Sequence, residues 1–125
     1  MIELTLPADR AWHPVFRLVL GGVADRAGFG FEQLDNLQLA VERLLAEGSS
    51  GESVTLAIEL ADGLVRTRVG PLRAEPIEAV LGGPAPESGE LTLRRVLETI
   101  VDDFTVEHSG ASELAVVLEL RVRGR

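Results

Sequence analysis

A two-residue alternation near the C-terminal end constrains this chain more than any other feature. In ELAVVLELRV (113–122), Leu114, Val116, Leu118, Leu120 and Val122 fall on one side. Successive side chains of a strand point to opposite faces, so the run reads as a strand with one buried face. The same alternation occurs in IELTL (2–6), VTLAIEL (54–60) and LVRTRVG (64–70), with FTVEH (104–108) a shorter strand. The second face of these strands carries Glu3, Thr5, Glu59, Arg66, Arg68, Glu119 and Arg121. Strands with one apolar and one mixed face build a sheet covered by helices on one side only. On the other side opposite charges can pair across strands, and an open polar face is a simpler reading there than a binding surface.

Helical spacing fills the gaps between these runs. A helix fits from Pro14, a good first-turn residue, to Ala27, with Val15, Leu18, Val19 and Val23 as its expected inner stripe. Gly21-Gly22 within it is locally costly and points to close approach by another backbone. AGFGF breaks this helix, and a second runs from about Glu32 to Glu47, with Leu34, Leu37, Val41, Leu44 and Leu45 at amphipathic spacing. Asp62-Gly63 is a favoured pair for a tight hairpin turn. Residues 71–90 are Pro/Gly-rich, with a short helix possible at EPIEAVL. A third helix covers about Leu91–Asp103, with Leu93, Val96, Leu97, Ile100 and Val101 apolar. The order β-α-α-β-β-α-β-β predicts a two-layer α/β (α+β) sandwich, with a mixed, mainly antiparallel sheet and helices on one face. At 125 residues it forms one domain, 1–125.

Composition removes several chemistries. There is no cysteine, so no disulfide, thiolate nucleophile or cysteine metal site. All twelve basic residues are arginine, which excludes a P-loop lysine and a Schiff base. The net charge of −8 repels phosphate backbones, so direct nucleic-acid binding is not expected. No apolar run approaches a membrane span. The start MIELTLPADR lacks the basic and apolar blocks of a signal peptide, so a cytoplasmic protein is expected. No GxGxxG after a strand, Walker A loop, HExxH or GxSxG occurs. His13, His108, Asp102-Asp103 and the Trp12–Phe16 pair each read more simply as caps, surface or core than as a site. No catalytic residue and no metal ligand is assigned.

The stretch from Val15 to Leu45, VFRLVLGGVADRAGFGFEQLDNLQLAVERLL, resembles a known family. It looks like the RsbW/SpoIIAB-type anti-sigma factors, serine protein kinases of the GHKL (Bergerat-fold) ATPase superfamily. The shared features are a first helix with an arginine and a small-residue centre, an AGF break, and a helix reading L-x-L-A-V. The element order extends the resemblance to the whole chain. In that family the second helix carries A-V-x-E-x-x-x-N, whose Glu is the general base and whose Asn ligates Mg²⁺. Here Ala40 and Val41 match, but the Glu position holds Arg43 and the Asn position Glu47. Glu42 is one residue off, about 100° around the helix, and Asn36, the only asparagine, lies eleven residues before the family's Asn position. The family's adenine-binding Asp would follow the strand at 64–69, where Val69-Gly70-Pro71 stands instead. Of its glycine-rich phosphate loop only Gly89 remains, in SGELTL.

The resemblance therefore implies a degenerate nucleotide site at Arg43, Glu47, Gly70 and Gly89, with no cofactor. An i,i+4 ion pair between Arg43 and Glu47 would close it, and residues 71–90, in the place of the ATP lid, would be a mobile loop. It further implies a homodimer that binds a sigma factor, a STAS-domain anti-anti-sigma protein or both, with Arg17 facing the partner. Gly21-Gly22 would mark close packing within the monomer or at the dimer. The alternative is a working ATP- and Mg²⁺-dependent serine kinase acting on a STAS-domain antagonist.

Overall fold

The computed structural model describes residues 1–48, 52–81, 93–110 and 112–123. Strand β1 (Ile2–Pro7) leads through a 3₁₀ turn (Arg10–Trp12) into helix α1 (His13–Ala27) and helix α2 (Phe31–Gly48). The hairpin β2 (Ser53–Ala61) and β3 (Leu64–Arg73) follows, then helices α3 (Ala74–Leu81) and α4 (Leu93–Ile100), and strands β4 (Asp103–His108) and β5 (Glu113–Arg121). The five strands form one sheet in the order β1-β2-β3-β5-β4, and every neighbouring pair is antiparallel. The expected element order holds, with α3 at the EPIEAVL segment.

Local chemistry sets the boundaries. The AGF break is a helix stop: Gly28 takes a left-handed conformation (φ 83°). Its N–H bonds back to the Asp25 carbonyl, and the Phe29 N–H bonds to that of Ala24 at 2.9 Å. This is the Schellman arrangement, and Phe29 completes it by packing against the core. Asp62 and Gly63 both have positive φ (52° and 73°), as a two-residue hairpin turn between right-twisted strands requires.

The inner face of the sheet is the alternating set: Leu56, Ile58, Val65, Val69, Leu114, Val116, Leu118 and Leu120 are all buried. Thr67, on the same face, is buried with its hydroxyl unpartnered. Helix α2 lies over this face with Leu37, Ala40, Val41, Leu44 and Leu45 buried. The stripe of α1 differs from the expected one. Phe16, Leu20, Val23 and Ala24 are buried, whereas Leu18 is 77% exposed and Val15 only half-buried. Both stripes have helical spacing, but the face with Phe16 buries the largest side chain, so the helix turns that face inward. On the open face Arg66 pairs with Glu119 directly opposite (2.6 Å), and Arg68 reaches Glu107 (2.9 Å). Thr5 and Thr55 share a hydroxyl hydrogen bond of 2.7 Å.

Candidate functional site

Helix α2 carries charges on two opposite edges, and each edge meets a different neighbour. Glu42 faces α1. Its carboxylate takes Arg17 at two points, Nε to Oε2 at 2.6 Å and Nη2 to Oε1 at 3.0 Å, while Gln38 donates to the Arg17 carbonyl. The hydrogen bond and charge of Glu42 raise the Arg17 guanidinium above its ordinary pKa, with a smaller push from Asp35. Arg17 remains half exposed, so this is a fixed cation on the surface with its charge matched by a neighbour.

Arg43 and Glu47, one turn apart on the other edge, are half-buried. The expected ion pair between them is not among those of the described residues, although Arg43 is not without an interaction. At the end of this edge stands Gly48, against which α3 packs. A Cβ on Gly48 would meet Ile77 Cγ1 at 2.8 Å, Ile77 Cδ1 at 2.9 Å and Leu72 Cβ at 3.2 Å. Only a residue without a side chain allows the two elements to come this close. Leu72 and Ile77 are both fully buried.

Strand β3 reaches Leu72 through a bulge. Val69 opposes Val116 and Leu72 opposes Leu114, so Gly70 and Pro71 together face Ala115. The Gly70–Pro71 peptide is cis. The extra residue lets Val69 and Leu72 both point inward despite their odd spacing. A Cβ on Gly70 would lie 2.8 Å from that of Ala115, on the open side of the sheet. Residues 71–81 are therefore a strand end and a packed helix, which corrects the expectation of a mobile loop there. Gly89 lies outside the described residues.

The remaining candidates have structural partners. The His13 ring meets Phe16 edge-on at 6.5 Å between centroids, and His108 stands 3.5 Å from Glu78 of α3. Asp103 accepts from the Phe104 N–H. Asp102 accepts from the Arg121 N–H at 2.7 Å and pairs with Arg123. Gln33 completes this clasp by donating to the Arg121 carbonyl and accepting from the Arg123 N–H. Phe16 is core, while Trp12 keeps 42% of its surface. Asn36 is half-buried on α2. Among the described residues nothing outside the local helix backbone lies within 4 Å of a Cβ placed on Gly21 or Gly22, so no close packing among them explains that pair. Among the described residues no three His, Asp or Glu side chains converge as a metal site.

Curated relatives named serine-protein kinase RsbW, from Bacillus cereus and Bacillus anthracis, are 27% identical, over 86% of this chain and 77% of theirs. The chain resembles RsbW along most of its length. No family model matches it. No helix among the described residues is long and apolar enough to cross a membrane.

Two residues of this region escaped the sequence. Glu42 reads there only as a misplaced carboxylate, yet it anchors Arg17; its position opposite α1 follows from the antiparallel helix pair, which spacing does not reveal. Ile77 reads as one apolar residue in a loop-rich stretch. The available signal was Gly48: a glycine closing an amphipathic helix marks a place where something approaches closely.

Proposed function

We propose that the protein is an anti-sigma-type regulator that acts by contact: it binds a sigma factor, a STAS-domain anti-anti-sigma protein or both, as a cytoplasmic homodimer and without nucleotide. The observation that carries this reading is the likeness to RsbW combined with what stands between the end of α2 and the end of β3. That is beside the positions where the resemblance would seat ATP, and the close packing of Ile77 and Leu72 against Gly48 supports a site without nucleotide. A magnesium nucleotide does not fit this residue set. Arg43 offers a permanent cation where a proton acceptor is needed. Gly70 offers no carboxylate for adenine and faces the other side of the sheet. Glu47 is one carboxylate where a metal-bridged phosphate needs several partners. Arg17, held in place by Glu42 on the outer side of α1, supplies a preset contact for a partner.

The relatives' name favours a second reading, an active serine kinase that phosphorylates a STAS-domain antagonist. One experiment separates the two. The purified chain is mixed with ATP, Mg²⁺ and a STAS-domain protein, and both complex formation and phosphoserine are measured. We expect a stoichiometric complex with a sigma factor or the STAS protein and no phosphotransfer. Phosphoserine on the STAS protein that disappears in Glu47→Ala would establish the kinase instead. Thermal unfolding gives an independent check: nucleotide at a hundred times its Kd would add about 2.7 kcal/mol, a rise of several degrees, and we expect none.

A further inference from the structure

The outer surface of the α1–α2 pair leaves large apolar side chains uncovered. Leu18 is 77% exposed, and Leu39 on the neighbouring helix is 46% exposed. The contacts of Arg17 with Glu42 and Gln38 bring these two stretches to one level, and helical spacing turns Leu18, next to Arg17, and Leu39, next to Gln38, outward on either side of the groove between the helices. One turn beyond Leu18, nothing among the described residues outside the local helix backbone lies within 4 Å of a Cβ placed on Gly21 or Gly22, so the α1 backbone is bare and low there. A helix can approach such a surface closely.

Charge decides what kind of helix. Arg17 is the cation that faces α2, and Glu42 engages it at two points while Asp35 stands near it; Arg26 is the other exposed base of α1. The exposed residues of α2 are Phe31, Glu32, Asp35, Leu39 and Ala46: two carboxylates, three apolar side chains and no base. Asp25 adds a third exposed carboxylate from α1. The chain as a whole carries −8. The groove is apolar in the middle and acidic along its length, which is complementary to a segment of the opposite sign.

We propose that the α1–α2 groove docks a basic amphipathic helix of a partner protein. Apolar residues of that helix seat between Leu18 and Leu39, and its lysines or arginines lie along Asp25, Glu32 and Asp35. The inference rests on the contact-regulator reading and gives the chemistry of the partner segment.

The test uses the intact chain and a defined probe. A synthetic amphipathic helix of leucine and lysine, of the same 18-residue length as α2, is titrated while backbone amide shifts are followed by NMR. A scrambled peptide of equal composition and a leucine–glutamate counterpart serve as comparisons. We expect shifts centred on Leu18, Gly22 and Leu39 and binding that weakens with salt. Leu18→Ser and Leu39→Ser should each weaken it about tenfold or more; both residues are exposed, so these variants fold. Glu32→Gln with Asp35→Asn should weaken it and flatten the salt dependence. The proposal is overturned if shifts fall on the open sheet face, if the leucine–glutamate or scrambled peptide binds equally well, or if the serine variants bind unchanged. Self-association of the chain that is abolished by Leu18→Ser, with no peptide binding, would assign the groove to a second copy and overturn it too. Capture of a sigma factor or STAS protein that is indifferent to Leu39→Ser would remove the groove and keep the regulator reading. Peptide binding in the groove without capture of either protein would do the reverse.

Discussion

Gly48 closes α2 at the point where α3 crosses it, and replacing it with alanine sets two effects against each other. Alanine is better than glycine inside a helix by up to about 1 kcal/mol, and by less at the last residue. Against this, the new methyl would stand 2.8 and 2.9 Å from Ile77 Cγ1 and Cδ1 and 3.2 Å from Leu72 Cβ. Overpacking a filled site costs about 1–3 kcal/mol. Leu72 Cβ is fixed by the β3 backbone and cannot yield, and Ile77 is wholly buried, so relief requires a shift of α3. Packing should win, with a net loss of about 1–2 kcal/mol, read as a lower urea midpoint at unchanged slope. In thermal unfolding the Tm falls by roughly 3–10 °C. Ile77→Ala alone costs about 2–5 kcal/mol through the cavity it leaves. Combined with Gly48→Ala, part of that cavity is refilled, so the double variant should recover about 1 kcal/mol relative to the sum. A Gly48→Ala protein as stable as the parent, with costs that simply add in the double variant, would refute the contact between α2 and α3. The support that this packing gives to a site without nucleotide would fall with it.

Thr67→Val removes an unpartnered buried hydroxyl at nearly constant shape and should stabilise by about 1 kcal/mol or more; calorimetry showing a lower Tm would mean the hydroxyl is satisfied after all. Gln33→Ala breaks the two bonds that hold Arg121 and Arg123 to α2. We expect about 1 kcal/mol of lost stability and faster amide exchange confined to the end of β5; protection unchanged there would show that Asp102 suffices alone. Arg17→Ala and Glu42→Ala should weaken capture of the proposed sigma or STAS partner by similar factors, with the double variant no worse than either, because the pair acts as a unit that fixes how α1 and α2 present their shared surface. Additive losses in a binding assay would show that each contacts the partner separately.

The sheet was legible because its signal is dense. Each strand repeats its alternation over five or more residues, and a register slip of one would expose the whole set. Hairpin and helix ends were equally readable where one residue type dictates the backbone, as at Asp62-Gly63 and Gly28. Helix α1 shows where this fails. Its apolar residues are spread over more than half of the wheel, so two stripes compete, and only the tertiary fit of Phe16 and Leu20 decides between them. The third helix is shorter than its sequence pattern, since the described α4 ends at Ile100 and Asp102 leaves it to hold β5. At the end of β3, Gly70-Pro71 reads as a break, and the bulge that carries the strand on to Arg73 has no signature in single residues.

The candidate site was legible only as a set of missing residues, and its positive content had to come from packing. Arg17 illustrates the difference. Read alone on α1, it is an exposed cation suited to an acidic partner. Placed opposite Glu42 and near Asp35, it becomes the positive centre of a surface whose balance is negative. An arginine held by one carboxylate through both Nε and Nη2 is costly to extract, so an acidic partner would have to outcompete a carboxylate already in place. A basic partner faces no such competition: it meets Glu32, Asp35 and Asp25 and finds Leu18 and Leu39 bare. The same ion pair that fixes the angle between α1 and α2 thus also selects the sign of what can dock on them.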